Sequence, residues 1–366
     1  MPYDAILLVS FGGPEKEADV LPFLENVLRG KNVPHKRMLA VAEHYYKFDG
    51  RSPINAQNRQ LIASLEKELI RLEIKLPVYW GNRNWHPMLH DTLRQMKQNG
   101  VKRALAFMTS AYSSYSGCRQ YRENILAACE SIGNDAPRVD KLRVFYNHQG
   151  FIEAVANYAI EAFGELPASD RTQAQLVFTA HSIPMSMAQS SRYEDQLQEA
   201  SRLVSERLVS ERGGRTDFDL VFQSRSGPSS QPWLEPDILD YLREFKSKGK
   251  SQNVVIVPIG FVSDHMEVLY DLDTEAKELC LELGLRMARA RCAGTHPRFV
   301  EMIGELIVER IEADRLETDT GSSEGLVRPA LGVLGASHDV CPLNCCPAPV
   351  RSATMTGSTP SAASRA

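Results

Sequence analysis

The chain contains 366 residues, of which 43% are hydrophobic and 24% are charged, and its formal net charge is −4 at pH 7. These values are typical of a globular protein with a large core, and the length favours about two domains. The acidic net charge argues against a nucleic-acid-binding protein, because such proteins usually carry a basic surface.

The apolar segments do not predict a membrane-spanning protein. The longest apolar run, residues 254–262, is far shorter than a transmembrane helix, and the N-terminal sequence MPYDAILLVSFGG lacks the basic region of a signal peptide. Seven cysteines in a chain of this length do not resemble a secreted disulfide scaffold. We therefore expect a cytoplasmic protein without a transmembrane segment.

Short apolar runs alternate with long amphipathic stretches along the chain. The runs predict eight strands, at residues 5–9, 77–80, 104–108, 142–146, 176–179, 220–223, 254–259 and 285–291. Helical periodicity is clear in two of the intervening stretches, residues 58–72 and 193–209. This alternation predicts an α/β fold of two Rossmann-like, doubly wound half-domains, each with a four-stranded parallel sheet.

A polar segment near residues 165–170 separates the fourth predicted strand from the fifth. We therefore expect a first half-domain at residues 1–160, a second at 161–315 that contains the metal site, and a C-terminal extension at 316–366 with a cysteine cluster. The end of this extension, residues 354–366, is small and polar and is expected to be disordered. The extension contains little apolar surface, so we expect it to dock weakly unless it binds a metal centre.

Four unusual turns follow the predicted strands. The first and third strands of the first half end in SFGGP and TSAYSSYSG, and those of the second half end in TAHSIP and GFVSDHME. Ligands of open α/β sheets bind beyond the carboxyl ends of the strands. Because equivalent strands of both halves carry these turns, we expect the turns to face one cleft that contains the active site.

Three carboxylates, Glu267, Asp271 and Glu275, follow the last of these turns at intervals of four residues. Residues four apart share one helix face, where like charges repel, so the pattern indicates a bound cation. Successive steps of four drift by roughly 40° around an α-helix, whereas a π-helix would align them better.

His181 directly follows the first strand of the second half. A neutral imidazole together with carboxylates suits a divalent transition metal. The residues therefore indicate metal delivery or a metal-assisted reaction with a nearby base. Taken separately, the histidine could be structural and the carboxylates could form a solvated helix face.

Longer segments of the sequence resemble the ferrochelatase family, whose members insert ferrous iron into a porphyrin. The matching segments are FTAHSIP, FQSRSGPSSQPWLEP and PIGFVSDHMEVLYDLDTEA, and the resemblance extends from LLVSFGGPE through HYYKFDGRSPINAQN and GNRNWHP to about residue 310. The resemblance implies the chelatase fold, with a porphyrin cleft between two Rossmann-like halves. The implied reaction belongs to haem biosynthesis and releases two protons.

The resemblance also implies roles for individual residues. His181 and Glu267 would flank the porphyrin centre, where they bind iron or accept the pyrrole protons, without a decision about which does which. Asp271 and Glu275 would form an acidic path for the metal on a π-helix. Asp264 and His265 would support the site and orient Glu267.

The porphyrin itself would contact two kinds of side chain. Its propionates would bind at the cleft rim to Arg29, Tyr45, Ser52 and Tyr121, and its flat faces would contact apolar side chains such as Phe11, Phe261 and Trp233. One branch of the family has a tyrosine at the position of Phe11 that can reach the iron. Phenylalanine cannot ligate, so no axial tyrosine ligand is expected here.

The segment from residue 21 to residue 50 bears on which porphyrin is used. It is short and polar, and it resembles the soluble bacterial branch that metallates coproporphyrin III more than the hydrophobic lip of membrane-associated protoporphyrin IX enzymes. Coproporphyrin III is therefore favoured, with protoporphyrin IX as the alternative. A cobalt chelatase and a non-catalytic haem or metal carrier are less favoured, and a nucleotide-binding enzyme is disfavoured because FGGPE lacks a third glycine. Expected partners are the porphyrin and ferrous iron, with transient contacts to haem-pathway enzymes.

Four cysteines suggest a second metal centre. Cys341, Cys345 and Cys346 lie close together in HDVCPLNCCPAPV, and Cys118 follows SSYSG. Four thiolates suit an iron–sulfur cluster or zinc. Some ferrochelatases carry a 2Fe–2S cluster on such an arrangement, and CPLNCCPAP resembles the bacterial version, so a cluster with a structural or sensing role is expected. Unmetallated thiols in a loose tail are the alternative, and the other cysteines are expected in the core: Cys129, Cys280 and Cys292.

Overall fold

The computed structural model describes residues 1–31, 33–213, 217–228, 230–249, 251–323 and 325–349. The disorder predicted for residues 354–366 concerns a segment outside these described residues. None of the described helices is both long enough and apolar enough to cross a membrane.

The first half of the chain forms a four-stranded parallel sheet in the order β2-β1-β3-β4. Its strands are β1 (Ala5–Ser10), β2 (Val78–Asn82), β3 (Arg103–Met108) and β4 (Arg138–Lys141). Its helices are α1 (Glu17–Leu28), α2 (His35–Tyr46), α3 (Ile54–Arg71), α4 (Leu89–Gln98) and α5 (Gln120–Ile132), and a π-helical segment, Tyr115–Arg119, leads into α5.

The second half forms another four-stranded parallel sheet, in the order β6-β5-β7-β8. Its strands are β5 (Gln175–His181), β6 (Phe218–Gln223), β7 (Asn253–Val257) and β8 (Arg286–Arg289). The helices are α6 (Gln149–Glu165), α7 (Met185–Gln189), α8 (Tyr193–Arg212), α9 (Ile238–Lys248), α10 (Met266–Val268), α11 (Lys277–Leu283) and α12 (Pro297–Thr320), and a π-helical segment, Leu269–Ala276, joins α10 to α11. The predicted α/β fold with two doubly wound halves is confirmed.

The central strands explain why the fold is recognisable from sequence. Every residue of β1 and of β7 is buried, as in parallel sheets that are covered by helices on both faces. In each sheet the strand order reverses its direction at one point. This switch point lies between β1 and β3 in the first sheet and between β5 and β7 in the second. These are the positions where open α/β sheets bind ligands.

The fourth strand was predicted wrongly. Residues 142–146 do not form it; the strand is β4, whose polar residues precede them. The apolar residues are buried because they pack in the core: Phe145 stacks on Phe107 at 5.2 Å and meets Phe299 edge-on at 5.7 Å. An edge strand needs fewer apolar residues than a central one. The apolar run at residues 142–146 therefore identified buried core residues and not the strand that pairs with β3.

A continuous core joins the two halves. The cluster that contains Phe107 of β3 and Phe299 of α12 also contains Phe178 of β5 and Val255 of β7. Helices α6 and α12, which contain the predicted half-domain boundaries at residues 160 and 315, pack against each other. The two sets of strand ends are therefore held together by packed helices rather than by a free linker.

The C-terminal extension docks on the body through polar side chains that bind its backbone. Asn147 donates to the carbonyl oxygens of Leu331 and Gly335 at 3.1 and 2.8 Å. Glu199 accepts hydrogen bonds from the backbone nitrogens of Val333 and Leu334 at 2.6 and 3.3 Å. These hydrogen bonds to the backbone hold the tail on the body in addition to any centre that the cysteines bind, a contribution that the count of apolar surface did not include.

Candidate functional site

The turns after the central strands of both halves meet, as predicted. The Tyr112 hydroxyl, after β3, donates to the carbonyl oxygen of Ile259, after β7, at 3.0 Å. Gln57 of α3 binds the backbone nitrogen and oxygen of Asp264 at 3.0 and 3.4 Å. The turn after β7 requires Gly260, because a Cβ there would lie 2.5 Å from the Cβ of Ala180 in β5.

His181, the last residue of β5, presents one ring nitrogen to the cleft. Its Nδ1 lies 2.5 Å from the carbonyl oxygen of Ser182. A carbonyl oxygen only accepts, so Nδ1 carries the hydrogen and Nε2 of the neutral ring has a free lone pair. Nε2 lies 3.7 Å from Oε2 of Glu267, and the two side chains are 32% and 48% exposed. The pair is accessible from the cleft.

The short distance between His181 and Glu267 restricts how a ring can bind. A flat ring between two groups needs about 7 Å, twice the usual contact distance between non-bonded atoms. The observed separation of 3.7 Å is too small for that arrangement. In this arrangement the two groups would face the same side of a planar ligand.

The acidic residues lie on the helix that contains the predicted π-helical segment. Glu267 is in its first turn, and Asp271 and Glu275 are in the π-helical segment itself. The Nδ1 of His265 accepts a hydrogen bond from the backbone nitrogen of Glu267 at 3.1 Å and caps the helix. Burial lowers the pKa of His265, which keeps the ring neutral and able to accept this bond. The prediction of a π-helix is confirmed.

Two residues that the sequence interpretation missed hold the Asp271 carboxylate. The Ser224 hydroxyl donates to its Oδ2, and the Gln223 amide donates to the same atom at 3.3 Å and to the carbonyl oxygen of Glu267 at 3.1 Å. Burial, together with the charges of Glu267 and Glu275, raises the pKa of Asp271 to about 7. Gln223 pairs with His181 across β5 and β6, so strand pairing was the signal that could have identified it.

The outer end of the acidic column meets α2 of the first half. His44 stacks on Tyr270 with ring centroids 3.6 Å apart, and the Lys47 amine lies 5.1 Å from the same ring. Burial raises the pKa of Glu275, and the nearby Lys47 opposes this shift. The column thus runs from a partly exposed carboxylate at the edge to Glu267 at the centre.

Asp264 contacts residues that hold the turn after β7 in place. Its Oδ1 forms an ion pair with Arg289 at 2.5 Å and accepts a bond from the backbone nitrogen of Cys292 at 3.3 Å. Arg289 also binds both carboxylate oxygens of Asp273, at 2.9 and 2.6 Å. Asp264 therefore ties the turn to β8 and to the π-helical segment, whereas His265 contacts the backbone of Glu267.

The predicted porphyrin contacts occupy different depths. Arg29 is exposed and donates to Asn26 at 2.5 Å, and Tyr45 is half-buried. Burial and the charge of Glu267 raise the pKa of Tyr45, so its hydroxyl lies within the field of that carboxylate. Of the other predicted contacts, Phe11 is 37% exposed and Trp233 is half-buried. The remaining three are buried: Ser52, Tyr121 and Phe261.

Arg83 is a further cation at this site that the sequence interpretation missed. Its guanidinium lies 4.5 Å from the ring centroid of Tyr121 and 5.8 Å from that of Phe11, and its Nε donates to Asn124 at 2.7 Å. Among the described residues it forms no ion pair. The pKa of Lys31 is lowered by burial and by Arg83, while Glu267 opposes this shift, which indicates a second cation nearby. Together the two cations favour a ligand that carries carboxylates.

The structure brings the four predicted cysteines together. Cys118, buried in the π-helical segment before α5, faces Cys341 of the tail, and the interaction between the two thiols lowers the pKa of Cys341. The sulfurs of Cys345 and Cys346 are 3.7 Å apart. Arg119 contacts the carbonyl oxygen of Cys345 at 3.4 Å and ties the cluster to the body. Of the other cysteines, Cys280 and Cys292 are buried and Cys129 is half-buried.

Comparisons with known proteins identify the family of this chain. The family model described as Ferrochelatase matches residues 3–311. A protein named Ferrochelatase from Rhodopirellula baltica is 58% identical over 345 residues, which cover 94% of this chain and 93% of the relative. A protein named Coproporphyrin III ferrochelatase from Streptomyces coelicolor is 49% identical over 360 residues, covering 95% and 94% of the two chains.

Solved structures show lower similarity. The sirohydrochlorin chelatase SirB from Bacillus subtilis subspecies spizizenii, solved in complex with cobalt, matches with a TM-score of 0.48 and 10% identity, covering 85% of this chain and 96% of that one. The sequence comparisons are much stronger and span both sheets and the cleft between them. The chain belongs to the ferrochelatase family.

Proposed function

We propose that this ferrochelatase inserts ferrous iron into coproporphyrin III, with release of two protons, in haem biosynthesis. The observation that carries the proposal is the pair of His181 Nε2 and Glu267 Oε2, 3.7 Å apart at the strand ends, with an acidic column leading away from it. A base must lie near the ring face because two pyrrole protons leave as iron enters. The free lone pair of His181 and the carboxylate of Glu267 both meet this requirement.

The acidic column provides a path for the iron. Fe2+ would pass from Glu275 to Asp271 and then to Glu267, because carboxylate oxygens can replace the water ligands of a hydrated divalent cation. Gln223 and Ser224 orient the Asp271 carboxylate along this path. Because the pKa of Asp271 is about 7, this carboxyl can release a proton as the cation arrives and recover it afterwards.

Three cations support coproporphyrin III over protoporphyrin IX. Arg29 is exposed, Arg83 lies beside the rings of Phe11 and Tyr121, and Lys31 is close enough to Arg83 and Glu267 for their charges to shift its pKa. Coproporphyrin III carries four propionates, and charge-assisted hydrogen bonds to carboxylates are among the stronger polar contacts. Several relatives, including those from Streptomyces coelicolor and Nocardia farcinica, are named for this substrate.

We expect higher kcat/KM for coproporphyrin III than for protoporphyrin IX, measured anaerobically under reducing conditions by absorbance. Arg83→Gln should reduce coproporphyrin affinity about tenfold, since a hydrogen bond to a charged group contributes about 1.5–3 kcal/mol. The same substitution should leave affinity for the coproporphyrin tetramethyl ester unchanged.

Arg94→Gln is the matched control, because Arg94 is exposed and pairs with Asp91 away from the cleft. Preferred turnover of protoporphyrin IX would reject the proposed substrate. Equal loss of affinity for the acid and the ester in Arg83→Gln would show that Arg83 shapes the cleft without binding a propionate.

Replacing Asp271 by Asn should raise the apparent KM for Fe2+ at least about tenfold, as expected for a residue that contacts the metal or orients its ligands. Porphyrin affinity should not change. Burial raises the pKa of Asp271 from the ordinary value of 3.8 to about 7, so wild type loses folding stability as the pH rises from about 4 to about 7 and loses no more from this group above that range. Relative to wild type, the variant should therefore gain thermal stability over that pH range, with no gain below it and a constant gain above pH 7.

Glu278→Gln is the control, since Glu278 is exposed on the helix that continues from the same segment. A selective loss of porphyrin binding in Asp271→Asn would mean that the column supports the cleft structurally and does not conduct iron.

The proposal includes a 2Fe–2S cluster on Cys118, Cys341, Cys345 and Cys346. The residues fit this group, because the four cysteines meet where the tail docks, the sulfurs of Cys345 and Cys346 lie 3.7 Å apart, and cysteine thiolates are the ligands of such clusters. A bound cluster would supply a redox-active iron centre. This chain's own residues position it on the outer side of the π-helical segment before α5, so we assign it a structural or sensing role.

The proposal also includes a cytoplasmic location and transient contacts with haem-pathway enzymes. The location is supported by the cysteines, all of which are free thiols in this structure. Contacts with other enzymes follow from the chemistry alone, because a metal-free porphyrin must be supplied and the iron porphyrin must be consumed.

A further inference from the structure

Helix α2 carries exposed cations that have no counter-ions. Residues 26–42, which run from the end of α1 into α2, contain four cations and no carboxylate. Three exposed cations on α2 and at its C-terminal end form a surface that we call the basic patch: Lys36, Arg37 and Lys47. Within the described parts of the chain, none of the three forms an ion pair. Elsewhere an exposed arginine commonly pairs with a carboxylate one turn away, as Arg94 does with Asp91 at 3.5 Å.

The stability of the helix does not explain the first two of these cations. Helix α2 begins at His35, so Lys36 and Arg37 lie in its first turn, which contains no acidic residue. The first turn carries the positive end of the helix dipole, where carboxylates are favourable and cations are not. Helices α1 and α9 follow the usual rule, with acidic residues in their first turns. A ligand outside the helix therefore accounts for the two cations better than the helix itself does.

The basic patch borders the cleft. Arg37 lies two turns before His44 on the same face of α2, and His44 stacks on Tyr270 of the second half with ring centroids 3.6 Å apart. The Lys47 amine lies 5.1 Å from the ring of Tyr270. Burial lowers the pKa of His44, and the charges of Arg37 and Lys47 lower it further, so both cations are close to this ring. The patch thus lies where the two halves meet across the cleft.

We propose that the basic patch attracts polycarboxylate porphyrins to the cleft, and that it favours them over porphyrins with fewer carboxylates while they associate. The inference rests on the proposed function, because coproporphyrin III carries four propionates. Charge of one sign along a cleft raises the association rate of an oppositely charged ligand about 10- to 1,000-fold. Exposed side chains act in this way over about one Debye length, and they need not contact the bound ring.

The test measures association without iron, by stopped-flow fluorescence of the full chain with coproporphyrin III as the probe. The double substitution of Lys36→Gln with Arg37→Gln should lower the association rate constant about threefold to tenfold at an ionic strength of about 0.01 M, where the Debye length is about 30 Å. At about 1 M salt the Debye length is about 3 Å, and the variant should match wild type. The dissociation rate constant should be that of wild type at both. Lys47 is left in place because its charge also acts on Glu275.

A matched control removes two cations from the opposite edge of the first sheet. Lys75 and Lys102 are exposed and precede β2 and β3, at the amino ends of these strands. The double substitution of Lys75→Gln with Lys102→Gln should associate with coproporphyrin III at the wild-type rate. The charge of the ligand provides a second control. For protoporphyrin IX, which has two propionates, the effect of the Lys36 and Arg37 substitutions should be about half as large on a logarithmic scale, because the Coulomb energy is proportional to the ligand charge.

An unchanged association rate in the Lys36 and Arg37 variant at low ionic strength would overturn the proposal. A loss that persists at about 1 M salt, or a faster dissociation, would also overturn it, because these side chains would then hold the bound porphyrin directly. Preferred turnover of protoporphyrin IX would reject the substrate of the proposed function. Attraction by the basic patch is measured from binding alone, so the two failures are distinguishable.

Discussion

Replacing His181 by Ala or Glu267 by Gln should lower the rate of iron insertion about 100-fold or more, the usual contribution of a positioned acid or base. Porphyrin affinity should remain close to that of wild type, because the proposed propionate contacts lie elsewhere. The two groups are 3.7 Å apart and address one ring face, so they act as a unit. The double variant should therefore lose little more activity than either single variant.

His90→Ala and Glu278→Gln remove the same kinds of group from exposed positions outside the cleft and serve as controls. Rates come from anaerobic absorbance assays, and porphyrin affinity comes from fluorescence quenching. Near-normal insertion in either single variant would exclude that residue from the chemistry. Loss of porphyrin binding in both would mean that the pair holds the ring without taking its protons.

The second large effect concerns the cysteine cluster. Cys341→Ser should remove the visible charge-transfer absorption and reduce bound iron and inorganic sulfide to near zero, because one of the four thiolate ligands of the cluster is lost. Cys118→Ser, Cys345→Ser and Cys346→Ser should have the same effect. Cys129→Ser should not, since Cys129 is half-buried and donates to the carbonyl oxygen of Pro137 at 3.5 Å.

The docked tail makes this result informative. Arg143, Asn147 and Glu199 bind the tail backbone independently of the thiols, so the cysteine variants should keep the tail in place. Protease resistance of the tail measures whether it stays docked in these variants. Anaerobically purified wild type with neither iron nor sulfide would contradict the cluster, and one equivalent of zinc would replace it with a structural zinc site.

Periodic signals predicted most of the architecture. Buried central strands read as apolar runs, and carboxylates at every fourth residue indicated the π-helical segment that holds Asp271 and Glu275. The edge strand β4 was misplaced because its residues are polar and the neighbouring core residues are not. Hydrophobicity predicts burial, and burial coincides with strands only where a strand is central.

Residues that act through tertiary contacts were the ones missed. Gln223 and Ser224 reach Asp271 only because β6 pairs with β5, and Arg83 reaches Phe11 only because the turn after β2 folds against the turn after β1. Each of these contacts depends on distances between segments that no local sequence pattern encodes.

The most direct test of the account is the structure of the anaerobic complex with metal-free coproporphyrin III. The account predicts that a ring nitrogen lies at hydrogen-bonding distance, about 3 Å, or one water away from His181 Nε2 or Glu267 Oε2, with both side chains on the same ring face. It also predicts a propionate at Arg83. A ring bound with its centre away from both side chains, or held between them, would contradict it.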